Sequence, residues 1–189
     1  MKIVLASSNI HKVKEINEIV KNHNIEFILP PEGFDPEENG KTFEENSLIK
    51  ARAAWELCKT WTLADDSGLC IEALEGAPGI HSARYAETPQ ARINRVLLEM
   101  ENKTNRLACF KCCMTLINPK GETEFSYTGI CEGSIINKQR GINGFGYDPI
   151  FLLKNSEKTM AELTDEEKNR VSHRSVALNE VINYIKTSL

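Results

Sequence analysis

The sequence predicts an α/β protein with a mixed β-sheet, and three observations carry that prediction. Short apolar runs alternate with segments of helical period in the first half, two long strand-like runs joined by a turn follow, and helical sequence closes the chain. A length of 189 residues suits a single domain, 1–189, with enough core to be built as two lobes around a cleft. Charged residues make up 26%, as in ordinary globular proteins, and neither a disordered nor a fibrous composition is present.

The elements follow in order. "KIVLAS" opens as a short buried strand. "SSNIHK" leads from it into a helix whose Val13, Ile16, Ile19 and Val20 recur at helical spacing. Residues 30–41, "PPEGFDPEENGK", read as a loop rich in Pro, Gly and acidic residues. Thr42 with Glu45 three residues later is a capping-box signature and predicts the start of a second helix. Leu48, Ala51 and Trp55 form its apolar face, and Asn46 and Lys50 share another face at i, i+4. "TLADDSGLC" and "LCIEAL" continue the sheet before the turn "EGAPG" and the segment "IHSARY". Thr88-Pro89 suits the cap and first turn of a helix running to about Met100. "RLACFKCCMTLIN" and "ETEFSYTGICEGSII", joined by "PKGE", predict a long hairpin. The glycine-rich "GINGFGYDP" precedes a strand "IFLL", and "TDEEKNRVSHRSVALNEVINYIK" ends the chain as one helix or two consecutive ones.

Charge and cysteine content exclude several classes. A net charge of −4 and a pI of about 5.7 argue against a nucleic-acid-binding surface, which needs a basic face. Ile3 to Ala6 are too few for a signal-peptide core, and no apolar run approaches a membrane span, so a cytoplasmic protein with no membrane partner is expected. The six cysteines are then expected to be reduced. "CFKCC" contains a C-x-x-C spacing, but in a strand positions 109 and 112 face opposite sides, and no second Cys/His pair completes a zinc set. The expectation is buried small hydrophobes.

The candidate chemistry is carried by carboxylates, cations and one aromatic loop. In a strand, Asp65 and Asp66 point to opposite faces, so they do not form a proton-sharing dyad. A turn in which an Asp side chain caps backbone N–H groups ahead of Gly68 fits the same spacing. "SSNIHK" has the composition of a phosphate-binding turn at a helix amino terminus but lacks the Walker pattern, and its Ser and Asn residues also suit simple capping. Lys12 is more telling, because a cation at a helix start gains from a nearby anion. If the acidic loop folds toward Asp66, then Glu38 and Asp66 make a hard-oxygen site suited to Mg²⁺, with Glu44 and Glu45 as competitors for the same role. Phe145 and Tyr147 lie in a loop whose glycines allow close approach of backbone to a ligand, and Lys168, His173 and Arg174 supply donors.

Taken together, "SSNIHK", "TFEENSLIKAR", "ADDSGL", "GAPGIHSARY", "GFGYDPIF" and "EEKNRVSHR" closely resemble, in order from residue 7 to residue 174, the inosine triphosphate pyrophosphatase family, the XTP/dITP diphosphatases. The resemblance implies a two-lobed α/β fold, a long mixed sheet flanked by helices, an active-site cleft between the lobes, and a homodimer. It implies a Mg²⁺-dependent hydrolase that converts ITP, dITP and XTP to the monophosphate and pyrophosphate by attack of water on the α-phosphorus. It further implies that Ser7, Ser8, Asn9, Ile10, His11 and Lys12 cradle the phosphates, with Lys12 and Lys50 as cations. Asp66 would be the general base and, with Glu38, a metal ligand, and Ser67 would touch substrate. Phe145, Gly146, Tyr147, Asp148, Lys168, His173 and Arg174 would form the base pocket. The first turn departs from the commoner T-G-N form, with Ser7-Ser8-Asn9 in its place.

Overall fold

The computed structural model describes residues 1–7, 10–21 and 23–188, the side chains of Ile10, His11, Lys14 and Glu15 excepted. A six-stranded sheet in the order β2-β1-β3-β4-β5-β6 is formed by β1 (Lys2–Leu5), β2 (Glu26–Ile28), β3 (Thr62–Ile71), β4 (Leu107–Ile117), β5 (Thr123–Ile135) and β6 (Phe151–Leu153). The helices are α1 (Ile10–Val20), α2 (Phe43–Cys58), α3 (Pro89–Glu99), α4 (Asp165–Val171) and α5 (His173–Ser188), with short 3₁₀ turns between them. β1 runs parallel to both β2 and β3, whereas β5 and β6 are antiparallel, so the sheet is mixed as the element order predicts.

Two compact units divide the chain, Met1–Asp66 with Cys112–Gly129 and Arg174–Leu189, and Ser67–Lys111 with Ile130–His173. In the first unit the alternation of β1 explains its burial on both faces. Ile3 and Leu5 join Ile16 and Val20 of α1 and Leu178, Val181 and Ile182 of α5, while Val4 and Ala6 join Ala51 and Ala54 of α2. A strand covered on both sides loses the polar/apolar alternation of a half-exposed one, hence the unbroken "IVLA". β3 obeys the same rule, with Leu63 in the first cluster and Ala64 in the second. The period of two then carries Asp65 onto the face of α1 and α5, and Asp66 onto the face of α2.

The helix signals are realised locally. The Thr42 side chain accepts from Glu45 N at 3.1 Å, but Glu45 Oε2 accepts from Lys41 N at 2.6 Å, one residue earlier than the reciprocal box requires. Thr88 caps α3 in the same way, with Pro89 in its first turn. The carboxy-terminal sequence resolves into two helices, because Ser172 between them takes extended angles.

The second unit packs Leu69 and Ile71 of β3, Phe110 of β4, Ile93, Val96 and Met100 against Tyr147, Phe151 and Met160. Gly133 of β5 has a packing reason. A Cβ there would lie 2.3 Å from Leu152 O and 2.6 Å from the Phe151 ring, so any side chain would force β6 away.

Two expectations need correction. β2, only three residues long, was absent from the predicted elements, because so short a run carries no readable period. Of the cysteines, Cys112, Cys113 and Cys131 are buried, but Cys58, Cys70 and Cys109 are only partly so. Cys70 and Cys109 end up on the open side of the alternation, since Ala108 and Phe110 take the core side of β4.

Candidate active site

Asp66 is the centre of the first constellation. Its Oδ1 accepts from Lys50 Nζ at 3.1 Å and its Oδ2 from Asn46 Nδ2 at 3.2 Å. Both donors come from α2, and the i, i+4 spacing that places them on one helix face also points them at one carboxylate. Asn46 has a second task, as its Oδ1 accepts from Gly40 N at 2.8 Å and so pins the acidic loop. Glu38 of that loop reaches Lys50 Nζ at 3.4 Å. One ammonium therefore sits between two carboxylates. Burial pushes the Asp66 carboxyl above the usual range, Lys50 and Asn46 offset that only in part, and Glu38 adds to it. Burial opposes the charge of Lys50 as well, but Asp65, Asp66 and Glu38 together outweigh it and hold the ammonium above the ordinary lysine value.

Asp65 has a different environment. Lys12 Nζ donates to both of its oxygens at 2.9 Å, and Arg174 Nη2 approaches Oδ2 at 3.5 Å. Burial is the largest single influence and disfavours its charge, yet Lys12, Arg174 and Lys50 together hold the carboxyl well below the usual carboxylate range. The anion that compensates Lys12 at the start of α1 is thus Asp65. Capping ahead of Gly68 is excluded, because both aspartates lie within the continuous strand β3.

The second unit holds the aromatic loop. Asp148, buried, accepts from Phe145 N at 2.9 Å and from Lys168 Nζ at 2.8 Å on the same oxygen, Oδ2. Lys168 Nζ lies 4.4 Å from the centroid of the Phe145 ring, a cation–π distance. Phe145 is 56% exposed, so a large part of an aromatic ring faces solvent. Tyr147 is buried, and its hydroxyl donates to Ser82 O at 2.9 Å. Burial pushes that phenol up to about 12. His173 stacks on Phe110 with ring centroids 4.9 Å apart.

The loop depends on Gly144. It takes φ +74°, and a Cβ there would lie 2.1 Å from Asp148 Oδ2. Gly144→Ala should therefore displace Asp148 from both Phe145 N and Lys168. With backbone and contact strain of about 1–3 kcal/mol, the expected result is a KM for substrate raised about tenfold or more, together with a thermal midpoint lowered by roughly 2–10 °C. Steady-state kinetics measures this, and an unaltered KM would remove the loop from substrate binding.

Among the sequence-derived candidates, the structure brings together Glu38, Lys50 and Asp66, then Lys12 and Arg174 on Asp65, and in the second unit Phe145, Asp148 and Lys168. Gly146 lies in the same loop at φ +62°. Ser7 lies two residues beyond β1 with its N–H donated to Leu5 O, and Ser67 is partly buried in β3. Ser8 and Asn9 lie outside the described residues, and Ile10 and His11 are described only as backbone of α1. Asn46 was missed as a member of the constellation, although its spacing to Lys50 was the available signal. Ser82, the partner of Tyr147, had no such signal.

The donor set fits a hard cation that takes few protein ligands. Among the described residues no group of three His, Cys, Asp or Glu could cage a metal. Two carboxylates already sharing one ammonium, one of them raised by burial and by its neighbour, match the one- or two-carboxylate sites that complete their coordination with water and phosphate. None of the helices among the described residues is long and apolar enough to cross a membrane.

The chain is similar throughout its length to known proteins. The dITP/XTP pyrophosphatase of Treponema denticola is 47% identical over 197 residues, covering all of both chains. That of Oceanobacillus iheyensis is 46% identical over 195 residues and 98% of each chain. The solved structure of a Ham1 protein from Coxiella burnetii superposes with a TM-score of 0.91 at 41% identity over the whole of both chains. The Ham1 family profile matches residues 3–184, and with the fold and both constellations in place this chain belongs to the Ham1 family.

Proposed function

We propose that this chain hydrolyses the deaminated purine nucleoside triphosphates dITP, ITP and XTP to the monophosphate and pyrophosphate, clearing them from the nucleotide pool. The observation that carries the reading is the opposed state of two adjacent aspartates, Asp65 locked as an anion between cations and Asp66 raised. Structural ion pairs lower a carboxyl, whereas a carboxylate that is buried and held short of full compensation is placed to receive a proton. The full-length similarity to proteins named dITP/XTP pyrophosphatase supports the choice of substrate.

In this reading a carboxylate oxygen of Asp66 orients a water toward the α-phosphorus and takes its proton as the bond forms. Asn46 and Lys50 fix the plane of that carboxylate. Lys50 and Lys12 place positive charge against the triphosphate, and the Lys12 ammonium exchanges Asp65 for phosphate as substrate arrives. Glu38 and Asp66 would hold Mg²⁺, which when bound supplies charge neutralisation of the triphosphate and of the departing pyrophosphate. Without a cation the phosphates would be repelled by these carboxylates. Chelation with EDTA should therefore abolish turnover, and added Mg²⁺ should restore it; activity persisting in EDTA would remove the metal from the scheme.

Base choice follows from donors. Lys168 beside the exposed Phe145 ring offers only N–H groups, which match the 6-oxo acceptor of hypoxanthine and xanthine and not the 6-amino donor of adenine. A site built for one hydrogen-bond partner rejects the mismatched analogue by roughly 10⁴-fold. The acidic balance of the chain favours free nucleotides over nucleic acid as partner, and we place the activity in a cytoplasmic homodimer, as the family resemblance implies. A panel of dITP, XTP, dATP and dUTP assayed for pyrophosphate tests the reading. Preference for dITP and XTP is expected, and preference for dUTP or dATP would assign a different pool.

A further inference from the structure

The outward face of the sheet in the second unit floors an open cavity of about 1060 Å³. None of the residues that line it belongs to the constellations described above. Cys70 of β3 and Cys109 of β4 lie on adjacent strands, both are free and partly exposed, and both open into this cavity. Lys111, two residues after Cys109 and on the same face of β4, also lines the cavity. The other four cysteines differ. Cys112, Cys113 and Cys131 are buried, and the Cys58 thiol donates to Ala54 O at 3.0 Å.

Adjacent strands of a sheet lie about 4.7–4.9 Å apart, within the span of about 4.4–6.8 Å between Cα atoms that a disulfide bridges. Two thiols that open from adjacent strands into one cavity can be joined with little movement of backbone. Their protonation is also divided. The neighbouring Cys70 thiol and the Lys111 ammonium hold Cys109 down at about 7 against burial and against Glu132 and Glu72. Cys70 is pushed up by its neighbour Cys109 and by burial. One strand away, Cys131 is pushed up to about 12 by burial. An accessible cysteine with a lowered pKa and a second free thiol on the adjacent strand of the same cavity is the arrangement of an attacking and a resolving residue.

We propose that Cys70 and Cys109 form a redox-active dithiol that closes to a disulfide on reaction with a peroxide. The Cys109 thiolate attacks one peroxide oxygen, the O–O bond breaks, and the departing oxygen leaves as water or an alcohol after taking a proton. Cys109 is then a sulfenic acid, oxidised by two electrons. Cys70 loses its proton and attacks that sulfur, the S–O bond breaks, and water departs as the S–S bond forms. A dithiol reductant returns both thiols. The site is independent of the nucleotide reaction.

Full-length protein, fully reduced, is treated with hydrogen peroxide at neutral pH, alkylated in denaturant and mapped without reduction. Alkylatable thiols should fall from six to four, with residues 70 and 109 in one cross-linked species that dithiothreitol abolishes. Cys70→Ser should give no cross-link and a dimedone adduct at Cys109, and Cys109→Ser should keep all its remaining thiols at the same dose. Retention of all six thiols in the native protein, linkage through any other cysteine, or equal oxidation of Cys109→Ser would overturn the proposal. The mapping of native protein stands without either variant.

Discussion

Asp66→Asn should remove turnover and leave the fold standing. General-base catalysis contributes about 10²–10⁴-fold, and kcat for dITP is expected to fall by that factor. Stability responds otherwise. The ionised carboxylate of Asp66 is disfavoured in the folded chain, chiefly by burial and in part by Glu38, so a neutral isostere relieves as much as it costs. Asn keeps an oxygen able to accept from Asn46 or Lys50, and Lys50 retains Glu38 at 3.4 Å. The thermal midpoint should stay close to that of the parent. Near-normal kcat in this variant would take Asp66 out of the reaction, and a large drop in midpoint would make it structural.

The neighbouring substitution should behave in the opposite manner. Asp65→Asn removes the carboxylate shared by Lys12 and Arg174, whose side chains are 21% and 3% exposed. Removing one partner from a buried ion pair costs about 3–5 kcal/mol, because the remaining charge is left in a poorly solvating site. For a chain of this length that lowers the midpoint by roughly 10 °C. Activity should fall too, since Lys12 loses the group that places it.

The pH dependence has a definite sign. An unfolded aspartate titrates near 3.8, and folded Asp65 lies well below that value. Below about 3.8 the unfolded chain takes up a proton that the folded chain does not. The stabilisation from Asp65, present in full above that pH, is therefore lost as pH falls toward the folded value. Asp66 has the reverse sign, since its raised carboxyl makes the folded chain bind the proton more tightly just above 3.8. Denaturant titrations through the acid range should show that Asp65→Asn flattens the loss of stability below 3.8. An unchanged acid slope would contradict the assigned ion pair.

Much of this was legible because the signals are local. The period of two in "TLADDSGLC" already separated the aspartates, and the i, i+4 pairing of Asn46 with Lys50 already placed two donors on one face of α2. Capping residues located α2 and α3 within a residue. What stayed hidden is long-range. Lys12 lies 53 positions from Asp65 and Arg174 lies 109, and no spacing rule connects residues brought together only by packing of α1 and α5 on the sheet. The same holds for Ser82 under Tyr147, 65 positions away, and for Cys70 beside Cys109, which strand pairing alone makes neighbours. The alternation that sets Cys109 and Cys112 on opposite faces was legible, and the structure leaves Cys109 partly exposed and Cys112 buried.

The central claim is that Asp66 directs water to the α-phosphorus of a deaminated purine nucleoside triphosphate. Hydrolysis of dITP in ¹⁸O-labelled water, with mass analysis of both products, tests it most directly. The expected result is one labelled oxygen in the nucleoside monophosphate and none in an intact pyrophosphate. Label in pyrophosphate, or release of orthophosphate in its place, would contradict it.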